Sequence, residues 1–176
     1  GETADTIAAI DMEIKRRSSK EDKKFKPNLI AITNRKESSI GRQVLNIIDI
    51  CAGIEVGVAA TKTFFGQLLS FYGLAIKFAQ IKGTQSSDEI NKLITELIKL
   101  PPLIEDLLEQ HNESSEKLAH DFFNIKDVIF LGRGINYPIA LEGALKLKEI
   151  SYIHAAGYPA GEMKHGPIAL LDKKVP

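Results

Sequence analysis

Residues 128–171 read VIFLGRGINYPIALEGALKLKEISYIHAAGYPAGEMKHGPIALL, and the fold is decided here. The apolar run 128–131 is strand-like, Gly132-Arg133-Gly134 is a tight turn, and a helix opens near Tyr137-Pro138, where proline's missing N–H is not needed. Glu142, Lys146 and Glu149 follow at spacings of four and three, which puts all three on one helix face. Ile139, Leu141, Ala144, Leu145, Leu147 and Ile150 supply the apolar surface around them. A segment broken by proline and glycine then presents Glu162, Lys164 and His165 ahead of Gly166-Pro167. A lysine, a carboxylate and an imidazole near one pocket are the groups that proton transfer on a substrate requires. Taken singly they have plainer readings: an exposed helix ion pair worth only ~0.3 kcal/mol, and a histidine in a turn.

Upstream, the same alternation of strands and helices appears. Residues 1–17 open with a small polar turn and continue as an amphipathic helix whose first residues present free N–H groups; these serve either an anion or a cap at Thr3 or Asp5. Residues 16–26 are a charged connector, 27–34 a buried parallel strand, 45–50 a second strand, and 51–57 (CAGIEVG) a loop. The helix expected over 59–82 is apolar on most sides, as befits a core or a subunit interface. Residues 88–112 read as a helix interrupted at Pro101-Pro102, with Ser114 or Ser115 starting another through Phe123. The pattern implies an α/β fold with doubly wound parallel sheets covered by helices on both faces. It divides as 1–84, a helical connector 85–118, and 119–176.

Composition narrows the function. Lys plus Arg and Asp plus Glu both number 23, so there is no basic excess for nucleic acid or an anionic membrane surface. The most apolar stretch, 68–78, is interrupted by Ser70, Gly73 and Lys77 and is short of the ~20 residues a bilayer demands. The single Cys51 excludes an internal disulfide and points to a reducing compartment, with the cytoplasm the expected location. Gly132-Arg133-Gly134 does not extend to a dinucleotide fingerprint, no phosphate-loop GxxxxGK[ST] is present, and no Cys/His spacing suits a metal. Neither a metal nor a cofactor is expected.

The strings LEGALKLKEISYIHA and AGEMKHGP, with GETADT at the start and GVAATK at 57–62, resemble the isomerase region of the glutamine–fructose-6-phosphate aminotransferase (glucosamine-6-phosphate synthase) family. That resemblance implies two sugar-isomerase (SIS) subdomains of flavodoxin-like, three-layer type, each incomplete here. It implies a fructose 6-phosphate substrate and a homodimer formed through SIS domains. Glu149 would be the base moving a proton between C1 and C2, Lys146 its assistant, and His165 the ring-opening group reached from a neighbouring subunit. Gly1, Glu2 and Thr3 would close the phosphate loop, and Val58 and Ala60 would line the sugar through backbone atoms.

Some family features are lacking. Cys51 is no counterpart of the family's N-terminal nucleophile, and the C-terminal Schiff-base lysine is not found. Ala60, Ala156 and Ile54 stand where relatives carry Ser, Glu and a smaller or polar residue. The chain therefore reads as part of a longer protein, and these 176 residues alone are expected to make no glucosamine 6-phosphate from glutamine. Two other readings stay open: a different SIS sugar-phosphate isomerase, and a regulator that binds a sugar phosphate without transforming it.

Overall fold

Val128, Ala144 and Ala155 form the best-buried apolar cluster, and all three belong to one strand–helix–strand unit. The structure, a computed structural model, describes residues 2–18, 28–172 and 175–176. In chain order the elements are α1 (Glu2–Ser18), β1 (Ile30–Thr33), α2 (Ser39–Gln43), β2 (Asn46–Asp49), α3 (Lys62–Lys82), α4 (Ser87–Ile98), α5 (Leu100–Phe122), β3 (Asp127–Gly132), α6 (Asn136–Ser151) and β4 (His154–Pro159). Short 3-10 turns at Ala160–Glu162 and Pro167–Leu170 follow. Two units result. One holds Gly1–Val56 and Thr61–Ser87; the other holds Gly57–Ala60 and Asp88–Pro176.

In the first unit β1 and β2 pair in parallel, Ile30 opposite Asn46 through Thr33 opposite Asp49. A parallel pair needs a crossover, supplied here by α2, whose first turn is capped by Ser38 accepting from the Gly41 N–H at 3.1 Å. The strand expected from Pro27 begins later among the described residues, at Ile30. It also ends earlier, because Asn34 turns its side chain to the loop after β2. Helix α3 packs against β1, with Ile50 near Gly66. It begins at Lys62, not at Ala59, and none of its residues is fully buried; Phe71 is 59% and Phe78 52% exposed. Two strands can cover only one stripe of a helix that is apolar all round. At its far end Gly83 adopts φ 64°, and the Thr84 N–H donates to the Ala79 carbonyl at 3.1 Å.

In the second unit β3 and β4 pair in parallel, Asp127 opposite His154 through Gly132 opposite Pro159. Helix α6 crosses between them. Small residues let it lie close: Ala140 and Ala144 are buried, Gly143 faces the Phe130 ring, and Gly157 passes under Leu141. Phe122, Ile125, Phe130, Leu147 and Ile153 pack around the cluster. Strand β4 was not expected from the sequence. Its HAAGYP has little β-branched content, and it forms because β3 offers a parallel partner and Ala155 is buried. The interruption expected at Pro101-Pro102 is present: α4 ends at Ile98, and the prolines occupy the first turn of α5, where they cost little. The new helix expected at Ser114 or Ser115 is corrected, because α5 runs unbroken to Phe122. Ser114 is mid-helix, its hydroxyl donating to the His111 carbonyl at 3.0 Å.

Among the described residues no helix is long and apolar enough to cross a membrane, and no group of His, Cys, Asp and Glu is arranged to hold a metal ion.

Candidate functional site

Helix α6 brings Glu142, Lys146 and Glu149 together as the spacing predicted. Lys146 Nζ donates to Glu149 Oε2 at 2.5 Å and lies 3.6 Å from Glu142 Oε1. The side chains retain 21%, 24% and 32% exposure in the order Lys146, Glu142, Glu149, so the cluster is largely covered and not loose in solvent. The hydrogen bond to Glu149, followed by the attraction of both carboxylates, raises the Lys146 pKa above 10.5 despite some desolvation. At neutral pH Lys146 is therefore an ammonium, able to donate a proton or stabilise an anion but not to accept a proton. Lys148, the other lysine of that stretch, is exposed.

Among the described residues the His165 ring makes no hydrogen bond or ion pair with this cluster. Parallel pairing puts the carboxyl ends of β3 and β4 on one edge, and His165 follows β4 by six residues. Glu149 lies 13 residues into the returning helix, roughly 20 Å along its axis from that edge. The His165 N–H donates to the Glu162 carbonyl at 2.9 Å, and no hydrogen bond or ion pair joins its ring to Lys146 or Glu149. His154, read as structural, bonds Asp127 across the start of the two strands at 2.9 Å.

In the first unit, Thr3 is in the first turn of α1 and exposed, so the reading of Thr3 or Asp5 as the cap residue gives way to a helix already begun at Glu2. Gly1 lies outside the described residues, and of Glu2 only the backbone is described. Val58 is 90% exposed, and Ala60 is half-buried.

The sequence reading missed Glu55. Its carboxylate accepts four hydrogen bonds, from the Thr63 hydroxyl at 2.7 Å, the Thr63 N–H at 3.0 Å, the Thr61 N–H at 3.2 Å and the Thr61 hydroxyl at 3.2 Å. It therefore caps α3 from outside the helix, a task Thr61 does not perform with its own side chain. A cleft at the carboxyl ends of β1 and β2 is lined by Asn34, Arg35, Lys36, Asp49, Gly53 and Glu55, the place where open parallel sheets bind ligands. The only signal for Glu55 in the sequence is an acid six and eight residues before two threonines at a helix start.

These bonds, the Thr63 hydroxyl first, hold the Glu55 pKa down from 4.5 to about 2. A depressed carboxylate contributes stability that is complete above its ordinary value and lost as pH falls through the folded one. The cap should therefore persist from neutrality to below pH 4.5 and fail only towards pH 2. Carbon NMR titration of the Glu55 carboxyl checks this, and a midpoint at 4.5 contradicts it.

Comparison with known proteins adds an independent line. Residues 1–77 and 121–176 match the SIS domain family. Over the whole chain, identity reaches 59% with a glutamine–fructose-6-phosphate aminotransferase (isomerizing) of Thermosynechococcus vestitus and 60% with one of Synechocystis sp.. The chain spans 28% of the length of each of these relatives. Its fold matches the C-terminal domain of glucosamine-fructose-6-phosphate aminotransferase from Francisella tularensis at a TM-score of 0.89 and 38% identity, over 99% of this chain and 46% of that one.

Proposed function

The chain belongs to the SIS domain family, and from that premise we propose that it supplies the isomerase surface of a glutamine–fructose-6-phosphate aminotransferase. In this reading it binds fructose 6-phosphate and helps carry the ketose-to-aldose conversion that yields glucosamine 6-phosphate. The observation that carries the reading is the Lys146–Glu149 contact of 2.5 Å on the covered face of α6. An acid and a fixed cation side by side suit a proton shift between C1 and C2. Ammonia from glutamine, released elsewhere in the longer enzyme, first replaces the C2 oxygen as an imine with loss of water. Glu149 then removes a C1 proton, a C1=C2 double bond forms, and a proton delivered to C2 with loss of the C1 hydroxyl proton leaves the amino aldose. Lys146, held as an ammonium, stabilises the negative charge that develops on substrate oxygen.

The other roles follow. Thr3, with Gly1 and Glu2, holds the 6-phosphate at the start of α1, where helix dipole and free N–H groups favour an anion. Val58 and Ala60 line the sugar through their backbone. His165 opens the sugar ring in the active site of a second copy. The absence of a bond between its ring and Lys146 or Glu149 of the same chain accords with such a homodimer. Residues 1–84 and 119–176 are portions of two SIS subdomains joined by 85–118; the gap between the family matches, 78–120, supports that division. The exposed free Cys51 suits a cytoplasmic setting.

Calorimetric titration of the native protein with fructose 6-phosphate tests the reading. Binding is expected, and Thr3→Val should weaken it about tenfold while leaving the isomerisation of bound sugar within about threefold, as loss of a contact equal in ground and transition states does. Failure of the unsubstituted protein to bind would refute the substrate. Binding without any proton exchange on the sugar would favour the regulator.

A further inference from the structure

We propose that Glu55 is a positioning residue for the sugar site: its carboxylate ties off the base of the loop 56–60 and so sets the backbone of Val58 and Ala60. This rests on the assignment of those two residues to the substrate surface. The side chains of the loop give it one anchor: Val56 and Val58 are each 90% exposed, and within 56–60 only Ala59 is buried, at 7%. Hydrogen bonds at the two ends fix the backbone on either side of it. At the leading side, Asn34 Nδ2 donates to the Gly53 carbonyl at 2.5 Å, while Asn34 Oδ1 accepts from the Ala52 N–H at 3.0 Å, tying the loop's approach to the end of β1. At the trailing side, Glu55 reaches forward to both Thr61 and Thr63. The five residues between are held as a short closed span.

The chemistry at the base is well matched. An ionised carboxylate is an acceptor on both oxygens: Oε2 accepts from the Thr61 and Thr63 N–H groups and the Thr63 hydroxyl, and Oε1 from the Thr61 hydroxyl. Two of those donors are backbone N–H groups at the start of α3, so the helix is rigidly joined to the residue that opens the loop. Backbone groups that contact a substrate must be placed to a fraction of an ångström, and displacement of ~1 Å can cost orders of magnitude.

The experiment compares Glu55→Ala, Glu55→Gln and Thr63→Val in the native protein, measuring the fructose 6-phosphate Kd together with KM and kcat, and the folded fraction by circular dichroism. Glu55→Ala is expected to raise Kd and KM about tenfold with kcat within about threefold. Glu55→Gln should recover much of the loss, because its amide oxygen still accepts from Thr63 while its NH2 faces the Thr61 hydroxyl. Thr63→Val, which keeps the shape and removes the shortest bond, should lie between. Combined with Glu55→Ala it should add nothing further, since both act through one contact. Should Glu55→Ala fail to fold, the Gln and Thr63→Val results decide alone. Unchanged Kd in every folded variant, or fully additive effects, overturns the positioning role. Absence of fructose 6-phosphate binding by the unsubstituted protein overturns instead the substrate assignment beneath it.

Discussion

Glu149→Gln is expected to cut sugar-phosphate isomerisation by ~10³-fold while leaving fructose 6-phosphate affinity within about threefold, since a positioned general base contributes ~10²–10⁴. The substitution preserves shape. The amide oxygen of glutamine can still accept from Lys146 Nζ, so the 2.5 Å contact that orients the residue survives while the basic lone pair is lost. Binding and chemistry should therefore separate: the sugar is taken up but its carbon-bound protons do not move. Two measurements check this in the native protein, the rate of glucosamine 6-phosphate formation and deuterium uptake from solvent at C2 of the sugar. Retention of more than about a tenth of either rate would remove Glu149 from the role of base. Lys146→Met should show a smaller loss, because it removes charge stabilisation but not the base.

Gly132→Ala is expected to be the most damaging single-methyl change in the second unit. A Cβ at this position would lie 2.2 Å from the Asn136 carbonyl oxygen and 2.6 Å from both the Asn136 carbonyl carbon and Tyr137 Cα. All three atoms are main chain, at the point where β3 turns into α6, so no side chain can rotate away. Overpacking against yielding neighbours costs ~1–3 kcal/mol, and a backbone clash belongs at the upper end or beyond. A loss of ~3 kcal/mol corresponds to a fall in melting temperature of about 6–12 °C for a chain of this size. Gly73→Ala is the contrasting case, because nothing lies within 4 Å of a Cβ placed there in the interior of α3, and removing a helix glycine should stabilise by ~0.5–1 kcal/mol. Equal melting temperatures for the two variants would contradict this account of the turn.

The two variants also mark which features were legible in advance. The βαβ unit around residue 128 could be read because an apolar run, a glycine turn and a helix-starting proline are all local signals. The Glu142, Lys146 and Glu149 face could be read because helical geometry alone sets which residues align. Strand β4 could not, since nothing in HAAGYP favours a strand until β3 lies beside it. The break beside Pro101-Pro102 could be read from the prolines, but the continuity of α5 through Ser114 and Ser115 could not, because a serine can cap a helix or sit within one.

Local covalent geometry therefore made the fold class and the shared face of Lys146 and Glu149 available from the order of residues alone, and the motif strings carried the SIS resemblance. The Glu55 hydrogen bonds and the exposure of α3 depend on where the chain returns after a turn, and only the tertiary structure decided them. A hydrogen bond across a loop, like the burial of an alanine under a neighbouring helix, is a property of two segments meeting, and neither segment carries it by itself.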